Sequence, residues 1–250
     1  MRFNSDQIQK IGKEISSKVD GKTLFDEFSR GRYSTDASVY QIKPLGVVLP
    51  KDTNDVLSLM EYSQKNSVPL LARGGGSSQC GQTVGESVVL DYSKHQNKIL
   101  ELNVEEKYVW VQPGVVLDHL NAYLKPHGLW FPVDVSTSSR ATIGGMSANN
   151  SCGSRSLYYG NMVHNVLAIE AILDDGSIFN FDQINKNYLA TKNNQDRLYK
   201  IIDKFIDVRQ KVGNEIDANW PTTQRRVGGY NIDLIDPEGF NSSNLLVGSE

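Results

Sequence analysis

Three consecutive glycines, Gly74, Gly75 and Gly76, stand directly after an apolar run at residues 68–72. Glycine opens backbone paths that a Cβ would block, so the chain can turn sharply as it leaves a strand here. Upstream, the apolar run at residues 46–49 and a helix over residues 54–66, capped by Asp52 or Thr53, complete a strand–helix–strand unit that closes on the glycines. Another strand follows at residues 87–91. Unblocked N–H groups in succession, with the hydroxyls of Ser77 and Ser78, can converge on phosphate oxygens without a lysine or a metal. For the triplet taken alone, a flexible surface turn is the alternative.

Two familiar phosphate loops fail on the same residues. Gly76, Gly81 and Thr83 have the spacing of a Walker A loop, but Gln82 stands where its lysine belongs, which removes the charge that reaches the outer phosphates. With Gly74 and Gly76 as the first pair of a Rossmann fingerprint, the third glycine falls on Gln79.

Residues 134–154 are rich in small side chains, hydroxyls and amides and carry few apolar groups. Such a stretch is either mobile or wraps a polar ligand, and its length favours the ligand, because long loops in compact domains are usually functional. Around it the pattern predicts a hairpin at residues 98–102 and 108–112 and a helix through Leu117, Leu120 and Leu124 that Pro126 and Gly128 end. A second hairpin is expected at residues 166–173 and 177–181, turned by Asp174-Asp175-Gly176, and an amphipathic helix through Leu198, Ile201, Ile202 and Phe205. Residues 133–160 read as one long polar loop. Residues 6–19 read as a partly exposed helix leading into a loop at residues 22–40. The final residues, 244–250, read as an apolar strand that stops without a turn, which suggests truncation.

With 26 basic and 29 acidic residues the formal net charge is −3, which gives no global attraction to nucleic acid or an anionic membrane. No run has the length of a membrane span, and the charged N-terminus lacks a signal peptide's apolar core, so a cytoplasmic chain is expected. Cys80 and Cys152 read as reduced thiols, with a disulfide as the alternative. His95, His119, His127 and His164 are not spaced as a metal site, and no metal is expected; His164 lies nearest the polar loop.

The segments 73–78, 111–114, 136–145, 149–153 and 246–250 together resemble, in order and spacing, the FAD-linked oxidases of the vanillyl-alcohol-oxidase (PCMH-type) superfamily. Within it the chain is most similar to the D-lactate, glycolate and D-2-hydroxyglutarate dehydrogenases. The resemblance implies an α+β fold in which two α+β subdomains clasp an extended FAD, and a separate C-terminal domain supplies most of the substrate pocket. Residues 1–39 are then an N-terminal helical extension and residues 40–250 the PCMH-type FAD-binding domain, with one subdomain at about 40–95, the other at about 96–250, and the last part truncated.

Carried over by that resemblance, Arg73, Gly74, Gly75, Gly76, Ser77 and Ser78 hold the pyrophosphate, and Gly81 and Gln82 continue the loop. Thr142, Gly144, Gly145, Asn149, Asn150 and Gly153 line the flavin end and ribityl chain, with Asp134, Ser136 and Thr137 nearby. The glycine loop has no histidine of the kind that bonds FAD covalently, so non-covalent FAD is implied. Arg225 and Tyr230, in Arg-Arg-Val-Gly-Gly-Tyr, are the substrate-proximal candidates, Arg225 as partner of a substrate carboxylate; a solvated basic pair is the other reading. The implied reaction is oxidation of a small 2-hydroxy acid by hydride transfer to flavin N5, with an unidentified electron acceptor. An alcohol, sugar or amine oxidase and a cofactor-binding module without activity are the alternatives. Catalytic groups and metal ligands are expected beyond Glu250, and slow turnover is expected of this chain alone.

Overall fold

The computed structural model describes residues 3–185 and 197–250, which form two compact units. The first comprises residues 3–131, 137–145 and 174–176; the second comprises residues 132–136, 146–173, 177–185 and 197–250.

In the first unit, α1 (Ser5–Ser16) opens on a capping box in which Asn4 Oδ1 accepts the Gln7 N–H at 2.9 Å and Gln7 Oε1 accepts the Asn4 N–H at 2.8 Å. Ile8, Ile11 and Ile15 recur at helical spacing and are buried. Each such side chain stabilises the fold by roughly 1.5–3 kcal/mol. The helix is therefore partly exposed, with its isoleucine face in the core. The expected loop after it holds two short elements, β1 (Lys22–Leu24) and α2 (Glu27–Arg32), both too short to show a periodicity in sequence.

A four-stranded sheet runs in the order β1, β2 (Gly46–Leu49), β4 (Val88–Asp91), β3 (Leu70–Arg73). The β2–β4 and β4–β3 pairs are parallel and β1 pairs antiparallel to β2. Strands β2 and β4 are buried throughout, as their unbroken apolar runs require of a sheet covered on both faces. Helix α3 (Thr53–Asn66) makes the crossover from β2 to β3; Asp52 caps it by accepting the Asn54 N–H at 2.9 Å. The same unit contains the antiparallel pair β5 (Ile99–Asn103) and β6 (Tyr108–Val111) and the helix α4 (Leu117–Leu124). Val115, Leu120 and Leu124 pack there against Ile99, Leu102, Val109 and Val111. Residues 96–131, read in sequence as the start of a second subdomain, fall within the first unit, where Gly114 is pressed so close to the Tyr92 carbonyl, just past β4, that a Cβ would lie 2.2 Å from it.

The stretch expected as one polar loop contains α5 (Ile143–Ala148) and α6 (Ser156–Tyr159), helices of 6 and 4 residues that fall below the window in which periodicity can be read. In the second unit β7 (Ile169–Ile172) and β8 (Ile178–Phe181) form the expected hairpin, and β9 (Gln183–Asn185) pairs antiparallel with β10 (Gly239–Asn241). The 23-residue helix α7 (Arg197–Asn219) lays Leu198 and Ile202 on a core of Phe181, Ile184, Ile235, Phe240 and Leu245. The terminal run is not a strand: Ser242–Leu245 is a 3-10 turn, and Gly248 has φ +86°, which breaks an extended path. Both cysteines are free thiols. Among the described residues no helix is long and apolar enough to cross a membrane.

Candidate functional site

Strand β3 delivers the chain into the glycine loop at the edge of the sheet. Gly74 and Gly75 are required by close packing: a Cβ at Gly74 would lie 2.1 Å from Thr142 Oγ1, and one at Gly75 would lie 2.2 Å from the Arg140 carbonyl oxygen. Gly76 has φ +63° and a Cβ there would meet the Arg73 guanidinium at 2.4 Å. Pressed against residues 140–142, the loop leaves the N–H groups of Gly75, Gly76, Ser77 and Ser78 without a protein acceptor among the described residues. Gly75 is exposed and Gly76 to Ser78 are half-buried, so this row of four donors is open to receive an anion.

The Arg73 guanidinium lies beside Gly76, but its donors are engaged by carbonyls outside that row. Its guanidinium donates to the carbonyls of Thr35 at 2.8 Å and Thr83 at 3.1 Å and lies 5.3 Å over the Tyr33 ring. Burial draws it below its ordinary value, against the pull of Asp91. Gly74 and Gly75 also help line a cavity of about 480 Å³, with Arg32, Tyr33, Arg73, Asp91, His119 and Arg140 among its other walls. Tyr33 donates to Asp91 Oδ2 at 2.6 Å, and burial together with that bond pushes its phenol up to about 12. Arg32, Tyr33, Asp91 and His119 had no motif to mark them in sequence; the sheet and α4 bring them to the glycines. Gln82 accepts a short hydrogen bond from the Ser78 hydroxyl and continues the loop as read, while Gly81 has φ +84° beneath the Tyr40 ring.

Other candidates in this unit have structural partners. Thr142 is buried, and the Gly144 N–H donates to the Pro113 carbonyl at 2.9 Å. A Cβ on Gly144 would sit 2.6 Å from Pro113 Cβ. The Gly145 N–H reaches Thr142 Oγ1 at 3.4 Å, and the Thr137 carbonyl accepts from Arg140 and Ala141, both at 2.8 Å.

The second unit gathers Asp134, Asn150 and Gly153. Gly153 passes so near Asp134 that a Cβ would lie 1.7 Å from its carbonyl oxygen. Asp134 accepts the Ser154 hydroxyl at 2.7 Å and the Arg155 N–H at 2.9 Å; burial raises its carboxyl, and these bonds outweigh that and hold it below the usual carboxylate range. Asn150 is fully buried at φ +45°, accepts the Val163 N–H at 3.0 Å and donates to Asn231 at 3.4 Å. Asn231 in turn donates to the Val247 carbonyl at 2.7 Å. Val163 and Asn231 carry no motif in sequence, and the partners lie far apart along the chain. Ser136 is exposed and Asn149 half-buried. His164 accepts the Asn161 N–H at 3.0 Å, a structural role.

Arg225 lies 3.7 Å from Cys152 Sγ, beside Gly153, and is otherwise open to solvent. Its neighbour Arg226 is instead held by Asp233 at 2.7 Å and stacked 5.0 Å from Trp220. Tyr230 is half-exposed, its ring 6.2 Å from that of Phe205.

Residues 44–182 match the family model described as FAD binding domain. The chain belongs to that family. FAD is therefore the cofactor against which the open amides of this FAD-binding domain are to be judged, and a dinucleotide's pyrophosphate fits them: it is an anion that needs close backbone approach and no cation. The domain is 35% identical over 230 residues to a D-2-hydroxyglutarate dehydrogenase of Haemophilus influenzae, covering 87% of this chain and 22% of that protein. It is 40% identical over 140 residues to the mitochondrial D-lactate dehydrogenase [cytochrome] of Kluyveromyces lactis, covering 54% of this chain and 24% of that one. The chain thus spans less than a quarter of the length of these relatives. A structure of p-cresol methylhydroxylase with substrate bound superposes with TM-score 0.58 at 17% identity, covering 76% of this chain and 38% of that one. The fold is accordingly the α+β, PCMH-type FAD-binding fold.

Proposed function

We propose that this FAD-binding domain, residues 40–250, holds FAD non-covalently for a flavin-dependent dehydrogenase that oxidises a 2-hydroxy acid of the D-lactate or D-2-hydroxyglutarate class. The observation that carries the cofactor half of this reading is the row of open amides from Gly75 to Ser78 beneath a glycine turn packed against residues 140–142. In this reading those amides take the pyrophosphate, and Gly74, Gly81 and Gln82 shape the loop. Arg73 acts by fixing it. Asp134, Asn150 and Gly153 hold the shape of the polar segment, with Ser136, Thr137, Thr142, Gly144, Gly145 and Asn149 contributing to the wall around the flavin. When bound, FAD supplies the hydride acceptor, flavin N5.

The substrate half is supported by the names of the relatives and by Arg225, whose solvent-facing guanidinium beside Cys152 suits a carboxylate, as the paired Arg226 does not. Tyr230, half-exposed in the same segment, is its neighbour in that role. The domain purified without added cofactor should be yellow, and heat or acid should release the flavin from it. Flavin that stays on the denatured chain would overturn non-covalent binding. D-2-hydroxyglutarate or D-lactate, added anaerobically, should perturb the flavin band without bleaching it rapidly; a response to an alcohol, sugar or amine instead would replace the substrate assignment.

A further inference from the structure

Residues 33–41 lie upstream of the residues matched to the family, and their sequence, Tyr-Ser-Thr-Asp-Ala-Ser-Val-Tyr-Gln, carries no cofactor motif. In the structure they grip the glycine loop at its start, middle and end. At the start, Arg73 leaves the strand and donates to the Thr35 carbonyl at 2.8 Å. In the middle, the Tyr40 ring lies against Gly81, where a Cβ would come within 2.6 Å of it. At the end, the Thr83 hydroxyl donates to Asp36 Oδ2 at 3.0 Å while Arg73 also holds the Thr83 carbonyl at 3.1 Å. Asp36 is itself fixed, because its Oδ1 accepts the Ser38 N–H at 2.8 Å. The segment closes on itself through the Ile42 N–H to Ser34 carbonyl bond at 2.9 Å and a bridge between Thr35 and Gln41.

We infer that residues 33–41 are a brace that holds the glycine loop in its anion-receiving shape, and that Asp36 is a positioning residue for FAD acting through Thr83. The inference rests on the reading of Gly75 to Ser78 as the pyrophosphate site. The physical reason is entropic: four neighbouring amides converge on one anion only if the loop carrying them is already ordered, and an unbraced glycine loop must be ordered at the expense of binding. The Asp36–Thr83 bond is charge-assisted and ties the loop's distal end to a segment anchored on the sheet. Asp36 stands 47 residues before Thr83 in sequence, so the link between them is visible only in three dimensions.

The test is titration of FAD into flavin-free protein, with Asp36→Ala, Thr83→Val and the double variant beside the parent. Each single variant should weaken FAD binding about tenfold, because the loop must then be ordered on binding. The double variant should be no weaker than either single one, and Asp36→Asn, which keeps an acceptor, should recover most of the loss. Urea midpoints should stay with the parent's. Unchanged affinity in Asp36→Ala, or a fall in midpoint that accounts for the loss, overturns the inference. Amide hydrogen exchange of the flavin-free protein separates this from the cofactor reading. Exchange at residues 76–83 should quicken in Asp36→Ala while that of α3 is unmoved, and this holds even if the parent fails to bind FAD. Equal exchange in the two proteins refutes the brace.

Discussion

Residues 74–78 and residues 149–153 are both made of glycine, serine and small polar groups, and the two stretches use that chemistry in opposite ways. In the first, the glycines let the backbone press against residues 140–142, and the amides that follow are left with no acceptor among the described residues. In the second, the N–H groups of Asn150, Ser151 and Gly153 all donate within the unit, to the Ser147 and Met146 carbonyls and Ser156 Oγ, and the Asn150 side chain is buried in a network with Val163 and Asn231. One stretch presents its polar groups; the other consumes its own. Small polar composition marks a place where the backbone comes close to something, and only the partners tell whether that something is a ligand or the protein itself.

The sharpest way to break the comparison is at Gly75. Gly75→Val drives a side chain into the Arg140 carbonyl and splays the open amides. Flavin retention should fall to background, judged by the ratio of flavin to protein absorbance, with a loss of stability of about 1–3 kcal/mol. Full flavin content in that variant would remove the loop from the cofactor site.

Asn150→Ala should show the opposite balance. It leaves the Val163 N–H and Asn231 Oδ1 unpartnered in a buried site, and should cost about 2 kcal/mol in urea unfolding. Any flavin loss should then follow the loss of folded protein. Selective loss of FAD at full stability would show that this stretch presents groups to the cofactor as well.

Asp134→Asn probes the same region through pH. The folded carboxyl is held low, so its contribution is present above the unfolded carboxyl range and disappears as pH falls through the lower folded value. The parent should therefore be the more stable protein at neutral pH, and the two should converge in acid. A gap that persists undiminished at low pH would assign the effect to geometry rather than charge.

The smallest effects separate the two neighbouring arginines. Arg226→Met removes the Asp233 pair and the Trp220 stack and should cost about 1 kcal/mol. Arg225→Met should leave thermal stability within about 0.5 kcal/mol while lowering the response of the flavin spectrum to the 2-hydroxy acid. An equal cost for both would undo the distinction drawn between them.

By itself, the sequence determined the elements long enough to carry a period or to be fenced by breakers. Leu117, Leu120 and Leu124 announced α4, Asp174-Asp175-Gly176 announced the β7–β8 turn, and the glycines of 74–76 announced a tight backbone approach. The order of polar segments was enough to point to the family. Tertiary structure decided what lay below those lengths or between distant residues. A three-residue edge strand at Lys22–Leu24 gains its ladder hydrogen bonds from β2, and the helices at Ile143–Ala148 and Ser156–Tyr159 are too short to stand without their surroundings. Arg73 looked like a phosphate ligand because it precedes the glycines, yet its donors are drawn to carbonyls at Thr35 and Thr83 that the fold brings beneath it. A side chain's identity is local, but the acceptor it meets is set by the path of the whole chain.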